Sequence, residues 1–242
     1  MRIDRELFFL PELDRAGETV LLPEAESRHL ARVLRKRAGE LVYLTDGRGQ
    51  VARSKILGLE KGRIRCRLER VETQPEPPTR RIQVGLGLIR PNRLDWAVEK
   101  LTELGVGRIS LLQSDYCQPH SYKPQHLEKI AVAAIKQSRQ TYLPVLAPPM
   151  PLDRWLAEKP GGEAALRLVG DRDGVPLRLG ATGSGRTVVL LVGPEGGFSA
   201  GEQAAIAAAG FQPVQFARTI LRSETAAVTG TAQLLSWFQS DG

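Results

Sequence analysis

Five consecutive apolar residues, Val188–Val192, constrain the fold more than any other segment of this sequence. A strand that is apolar on both faces is typical of the interior of a parallel sheet with helices on either side. Strand and helix patterns alternate around it. Strands are predicted at residues 82–89, 109–112, 164–169, 187–192 and 213–216, and helices at 94–104, 125–139, 152–158, 199–209 and 225–238. This repeated strand–helix order predicts an α/β fold with a parallel sheet.

A proline-rich segment at residues 73–79 separates this region from an N-terminal piece of different character. Three of its residues are prolines, which interrupt helices and strand pairing alike. We therefore predict an N-terminal domain at 1–72, a linker at 73–79 and a C-terminal domain at 80–242. The N-terminal piece is predicted to be mainly β, with strands at 41–44, 50–57 and 63–70 and one helix at 23–36.

The charge of the chain favours a polyanionic partner. Its 242 residues include 34 Lys and Arg against 27 Asp and Glu, a net charge of +7. In the predicted N-terminal helix, Arg28, Arg32 and Arg35 fall on one side, and Val33 belongs to an apolar stripe on another. Arginines also alternate along the strand at 63–70. These rows fit either an RNA-binding surface or a solvated outer face.

The composition argues against several classes of protein. No apolar run approaches the roughly 18 residues of a membrane span, and the N-terminus lacks the apolar core of a secretory signal. Two cysteines, Cys66 and Cys117, cannot form a disulfide framework, and no Cys/His cluster has metal-binding spacing. We therefore expect a cytoplasmic protein with no metal site and no membrane partner.

The strongest local signal is a glycine-rich turn directly after the buried strand. We call residues 193–197, Gly-Pro-Glu-Gly-Gly, the glycine loop; Ser199 then follows as a candidate N-cap of the next helix. Ligands of open α/β sheets bind at the carboxyl ends of strands, and glycine lets the main chain approach a ligand closely. The spacing matches neither a Walker A loop nor a dinucleotide fingerprint. A ligand site and a tight strand–helix turn are therefore equal alternatives.

A second signal lies in residues 216–226. Here Arg218, Arg222 and Glu224 stand between a predicted strand end and a predicted helix start. The apolar pair Ile220-Leu221 in the middle of this loop argues against a merely solvated helix start, because a plain surface loop gains nothing from apolar side chains.

Together, the two segments resemble a known family. Gly-Pro-Glu-Gly-Gly-Phe at 193–198, followed by Ile-Leu-Arg-Ser-Glu-Thr-Ala at 220–226, is similar to the RsmE type of ribosomal RNA methyltransferase in the SPOUT superfamily. The family's Arg-x-Asp, Glu-Lys and Thr-Glu-Leu-Gly segments are matched within residues 93–105, its Gln-Ser and Pro segment within 137–144, and its His-Leu-x-x-Val-Leu-Arg segment at 29–35. The resemblance spans nearly the whole chain.

Three departures from the family pattern fall on possible RNA contacts. Phe216-Ala217 replaces Leu-Gly, Tyr116 stands where the family has arginine, and Arg139 is shifted by one place. They affect details of substrate contact rather than the class of reaction.

The resemblance implies a fold and an activity. The expected fold is a small PUA-like β-barrel followed by a SPOUT-type parallel sheet with a deep C-terminal trefoil knot, one of the rare exceptions to unknotted topology. The knot would hold S-adenosylmethionine, and the protein would act as a homodimer through the knotted domain. The implied reaction is methylation of N3 of a uridine in 16S ribosomal RNA within the assembled small subunit.

The same resemblance, with the loop positions, nominates site residues. The expected catalytic residues are Arg222, to stabilise negative charge on uracil, Arg218 as second candidate, and Glu224, as proton acceptor or as a structural partner of an arginine. The expected cofactor contacts are Leu168, Gly170, Leu191, Val192, Gly193, Pro194, Glu195, Gly196, Gly197, Phe216, Ile220, Leu221 and Thr225. The expected RNA contacts are Arg28, Arg32, Arg35, Arg93 and Arg139.

Two other functions are open on sequence grounds. One is a non-catalytic RNA-binding protein on the same scaffold, which S-adenosylmethionine binding would argue against. The other is a related methyltransferase acting on transfer RNA, which residue chemistry alone does not exclude.

Overall fold

The chain divides into two units in the computed structural model, which describes residues 1–13, 17–117, 122–177 and 186–239. The first unit comprises Met1–Glu76 together with Val132–Leu143, and the second comprises Pro77–Ala131 and Pro144–Gly242. The domains predicted from the sequence, 1–72 and 80–242, differ from these units because Val132–Leu143 belongs with the first unit. No helix in the described ranges is long and apolar enough to cross a membrane.

The first unit is built on a five-stranded sheet. Its strands are β1 (Leu7–Phe9), β2 (Thr19–Leu21), β3 (Leu41–Thr45), β4 (Gln50–Glu60) and β5 (Arg63–Thr73), in the order β1-β3-β4-β5-β2. All neighbours are antiparallel except β1 and β3. Alternate side chains of the sheet enclose a core that includes Phe8, Leu22, Leu44 and Ile56. The strands predicted at 50–57 and 63–70 are confirmed, and both are longer than predicted.

The N-terminal helix differs from its prediction at 23–36. An α-helix, α1 (Glu24–Arg28), passes into a π-helical turn at His29–Val33. There the N–H of Leu34 donates to the carbonyl of His29, five residues back, at 3.1 Å. A bond to the fifth rather than the fourth residue rotates every following side chain away from its α-helical position.

The predicted row of arginines is therefore wrong as a helical face. Arg35 lies beyond the helix in the left-handed region, at φ 51°, and Val33, expected on an apolar stripe, is 65% exposed. Arg32 is exposed, and Arg28 pairs with Glu24 at 2.5 Å. The three arginines are all at the surface, but they do not share the i, i+4, i+7 geometry.

The second unit is the predicted α/β fold with a parallel sheet. Six strands, all parallel, lie in the order β11-β9-β10-β6-β7-β8. They are β6 (Ile82–Gly87), β7 (Arg108–Gln113), β8 (Val145–Pro151), β9 (Leu166–Pro176), β10 (Val188–Val192) and β11 (Gln212–Gln215). Within the described ranges, the α-helices that follow α1 are α2 (Pro91–Glu103), α3 (Pro124–Ser138), α4 (Leu152–Ala157), α5 (Ala200–Ala208) and α6 (Ser223–Gln239).

Helices cover both faces of β10, and all five of its residues are buried. Val189 and Leu191 pack in a cluster with Trp155 of α4 and Ile206 of α5. Leu190 points to the opposite face, where it lies against Gly230 of α6. The apolar run of β10 is therefore continuous because both faces of the strand are covered by helices, as the sequence predicted.

Two strands of this sheet were missed or cut short. β8 was not predicted because it contains Pro148 and Pro149, yet it lies at the edge of the sheet, where a strand tolerates missing N–H donors. β9 was predicted to stop at 169 but continues to Pro176. Its partner β11 shifts register between Pro213 and Val214.

A partly buried ion pair fastens Val132–Leu143 within the first unit. The Nζ atom of Lys136 donates to the two carboxylate oxygens of Glu26 at 2.7 and 2.9 Å. The Glu26 side chain is only 9% exposed. Lys136 also lies 6.0 Å from the centre of the Phe8 ring.

Removing this carboxylate should destabilise the first unit. Glu26→Ala should lower the free energy of unfolding by about 2 kcal/mol, because the Lys136 ammonium would lose its partner while staying largely buried. Glu24→Ala, which removes an exposed pair with Arg28, should cost no more than about 0.5 kcal/mol. Urea unfolding measures both, and equal losses for the two variants would contradict a structural role for the partly buried pair.

Candidate functional site

A cavity of about 390 Å³ lies at the carboxyl end of β10 and beside the middle of β9 in the second unit. Six residues nominated from the sequence line it: Gly170, Val192, Gly193, Pro194, Gly197 and Leu221. A smaller cavity of about 110 Å³ shares Gly170 and Leu221 with it and is also lined by the nominated Phe216 and Ile220. The structure therefore brings the middle of β9, the glycine loop and the 216–226 segment to one place.

Close main-chain approaches make this convergence possible. A Cβ atom on Gly87, at the end of β6, would lie 2.6 Å from the main-chain nitrogen of Pro194 in the glycine loop. The Phe216 ring fills the space left by Gly170 and Gly230, since a Cβ at either position would lie 2.8 Å from it. Side chains at these three glycines would push the walls of the two cavities apart.

Sequence reasoning missed much of the larger cavity's polar and apolar lining. Asp171 and Arg172 lie on the part of β9 beyond its predicted end, and neither was nominated from the sequence. Gln203 and Ile206 lie three residues apart on α5, and their helical spacing was the signal that could have found this wall. Ser223, at the first position of α6, also lines this cavity and was not nominated.

Five nominated cofactor residues lie elsewhere. Leu191 is fully buried in the core beneath α4 and α5, and Leu168 lines a separate groove between β9 and β11. Glu195, Gly196 and Thr225 are not among the residues that line either cavity.

Gly196 makes room for a side chain of the protein itself. Its Cβ atom would lie 2.8 Å from the Cβ of Tyr116, which follows β7. The loop that carries Tyr116 is fastened to the end of the glycine loop: the hydroxyl of Ser199 donates to Asp115 at 2.5 Å, and the Asp115 N–H donates to Glu202 at 2.9 Å. The predicted N-cap at Ser199 is confirmed as a full capping box with Glu202.

Arg93 on α2 joins the glycine loop to the start of α6. Its Nη1 donates to Glu195 at 3.0 Å, and its Nε lies 3.7 Å from Oε1 of Glu224. The side chain of Glu224 is only 10% exposed, and its Oε2 atom is buried without a hydrogen-bond partner among the described residues. Arg93, which was predicted to contact RNA, is thus held by two carboxylates. Glu224 was predicted to act either as a proton acceptor or as the structural partner of an arginine, and its contact with Arg93 matches the second role.

The other nominated arginines fall into two groups. Arg218 and Arg222 are exposed beside the smaller cavity and form no ion pair within the part of the chain that the structure describes. Arg139, in the first unit, has a positive φ of 56° and donates to the carbonyl of Ile3 at 3.3 Å. Arg218 and Arg222 are therefore free to meet an anion, while Arg139 already holds a main-chain carbonyl near the N-terminus.

Family models and known proteins match this architecture. The RNA methyltransferase domain matches residues 75–235, and the RNA methyltransferase PUA domain matches residues 22–69. The chain is 30% identical over 228 residues to ribosomal RNA small subunit methyltransferase E of Synechocystis, covering 92% of this chain and 74% of that protein. It is 31% identical over 234 residues to the Mycobacterium bovis protein of the same name, covering 91% and 87%.

A solved structure places a ligand in a similar protein. Ribosomal RNA small subunit methyltransferase E of Neisseria gonorrhoeae, bound to S-adenosyl methionine, superposes with a TM-score of 0.85 at 29% identity, covering 96% of this chain and 97% of that one. The fold and its site thus define an RNA methyltransferase with an N-terminal PUA domain. More narrowly, the chain belongs to the ribosomal RNA small subunit methyltransferase E family.

The contact between Gly196 and Tyr116 can be tested by exchange. Gly196→Ala should lower the melting temperature, because the new Cβ would overlap that of Tyr116. Adding Tyr116→Gly should restore part of the lost melting temperature, since it removes the opposing Cβ atom. Thermal unfolding of wild type, the two single variants and the double variant completes this double-mutant cycle.

Gly197→Ala is the matched control. Its Cβ would meet nothing within 4 Å, but its φ of +72° makes alanine unfavourable by about 1 kcal/mol. Tyr116→Gly should not rescue this variant. If Tyr116→Gly fails to rescue Gly196→Ala as well, the packing explanation for Gly196 is wrong.

Proposed function

We propose that this chain uses S-adenosylmethionine to methylate N3 of a uridine in 16S ribosomal RNA of the assembled small subunit. The observation that carries the proposal is the cavity at the carboxyl end of β10, walled by the glycine loop and the middle of β9, in a chain that belongs to an RNA methyltransferase family. The exposed Arg222, whose neighbours Leu221 and Ser223 line this cavity, supplies the charge that the reaction needs.

The residues present fit this cofactor. Main chain of Gly193 and the apolar side chains of Ile206 and Phe211 provide the kind of wall that a flat adenine requires. Asp171 and Arg172 add one charge of each sign, which suits ribose hydroxyls and a zwitterionic amino-acid tail. When bound, S-adenosylmethionine supplies a methyl group on a positively charged sulfur.

Arg222 has the chemical role in this scheme. N3 of uridine carries a proton between two carbonyls, and it becomes a good nucleophile only when that proton leaves. The Arg222 guanidinium binds a uracil oxygen and stabilises the negative charge that develops there, and Arg218 is the second candidate for this role. The rest of catalysis is alignment of the base with the methyl group, and the proton passes to solvent.

We assign Glu224 to positioning rather than to proton transfer. On α6, Ser223 and Ala226 face the cavity, and Glu224, one residue after Ser223, points to a different side of the helix. It holds Arg93, which in turn holds Glu195 of the glycine loop.

The remaining parts of the proposal concern assembly. The first unit, with the exposed Arg28, Arg32 and Arg35, binds RNA next to the target. The second unit carries the SPOUT-type trefoil knot and forms a homodimer, for which the half-exposed Trp96 on α2 offers an apolar contact. The reaction takes place in the cytoplasm, where small subunits are assembled.

The direct test is methylation of small subunits from a strain that lacks this enzyme. With isotopically labelled S-adenosylmethionine, we expect label in 16S ribosomal RNA, and nucleoside mass spectrometry should identify N3-methyluridine. Label in transfer RNA, or binding of RNA with no transfer of label, would refute the proposal.

The role of Arg222 predicts a separation of rate from binding. Arg222→Ala should lower the single-turnover rate at saturating small subunits by about a hundredfold or more, with little change in RNA affinity. Filter binding measures the affinity in parallel. Should affinity fall as much as the rate, Arg222 is a docking residue and the mechanism above is wrong.

A further inference from the structure

A second cleft in the same unit is not explained by the cofactor. It has a volume of about 300 Å³ and lies between the first turns of α2 and α3. Its apolar lining includes Leu88, Ile89, Leu94 and Leu127, each less than 9% exposed. A volume of this size is at the lower end of small-molecule sites, and it would suit one flat ring rather than an extended ligand.

The rest of the lining is aromatic and polar. Tyr122 lies on the cleft, where its phenol is a hydrogen-bond donor, and partial burial raises the pKa of that phenol above its usual value. Beside it, Nε2 of His126 lies 2.8 Å from Oδ2 of Asp95, which gives a polar edge to an apolar slot. Lys123 is exposed on the rim and forms no ion pair within the described ranges.

The cleft adjoins the cofactor cavity through one stretch of main chain. Leu88 and Ile89 of the cleft follow directly after Gly87, and Gly87 is packed against Pro194 of the larger cavity. Because β6 and β10 are neighbouring parallel strands, both sites open at the same edge of the sheet. A chain-like substrate whose reacting residue lies at the cofactor cavity would therefore place a neighbouring residue at the cleft.

We propose that this cleft binds an unpaired nucleobase of the RNA substrate, next to the one that is methylated. The inference rests on the proposed function. The base stacks on Tyr122 between apolar walls, as single-stranded bases do on aromatic side chains. The Asp95–His126 pair offers hydrogen bonds to its edge, and Lys123 neutralises the adjoining phosphate.

Tyr122 variants test the stacking contact. In filter binding of the full-length protein to undermethylated small subunits, Tyr122→Leu should weaken affinity about tenfold, since it removes the ring but keeps an apolar side chain. Tyr122→Phe keeps the ring and should bind within about twofold of wild type. Calorimetric affinity for S-adenosylmethionine should be unchanged in both, which shows that the fold is intact.

Two lysines give a matched comparison of charge. Lys123, directly before α3, and Lys129, in its second turn, are both exposed, but only Lys123 lines the cleft. Lys123→Gln should reduce the slope of log affinity against log salt by about 0.7, the value for one phosphate of a single strand. Lys129→Gln should leave the slope unchanged.

The outcomes separate this inference from the proposed function. Wild-type affinity in Tyr122→Leu, an equal loss in Tyr122→Phe, or equal slopes for the two lysine variants overturns the cleft proposal even if the enzyme methylates uridine. Binding is read without methyl transfer, so a failure of wild type to methylate 16S RNA refutes the proposed function on its own.

Discussion

The candidate site depends on main-chain segments that approach more closely than any side chain would allow. Gly87 admits Pro194 of the glycine loop, and Gly170 and Gly230 together admit the Phe216 ring. Each contact would fall below 3 Å if the glycine carried a Cβ atom. Without this packing, the glycine loop after β10, the middle of β9 and the 216–226 segment would not share one cavity wall.

Polar contacts hold the glycine loop, the start of α6 and the loop after β7 in place. Arg93 holds Glu195 and Glu224, so α2, the glycine loop and α6 are connected through one guanidinium. The capping box of Ser199 and Glu202 does the same for the loop after β7 through Asp115. A site held in this way is arranged before its ligands arrive, which is what a reaction that consists mainly of alignment requires.

Much of the second unit could be predicted because it follows hydrophobic periodicity. The buried β10, the parallel sheet and the N-cap at Ser199 all follow from local pattern. Short-range rules failed where the cause was tertiary. β8 can contain prolines because it lies at the edge of the sheet, where missing N–H donors are tolerated. β9 extends beyond its predicted end because it pairs there with β11.

The site itself was predictable as segments, but not as side-chain roles. The glycine loop and the 216–226 segment were found, since their residue types are unusual for plain turns. That Gly196 faces Tyr116, 80 positions earlier, and that Arg93 binds Glu195 are long-range contacts with no local signal. In the first unit, a π-helical turn moved Val33 and Arg35 away from positions that an α-helix would give them.

The most direct test of this account is the affinity of Gly87→Ala for S-adenosylmethionine, measured by calorimetry. The added methyl group would lie 2.6 Å from the Pro194 nitrogen, so we expect affinity to fall at least about tenfold. Gly201→Ala, whose Cβ would meet nothing closer than 4.0 Å, is the control and should bind as wild type does. Equal affinities for the two variants would contradict the claim that close packing at glycine shapes the cofactor cavity.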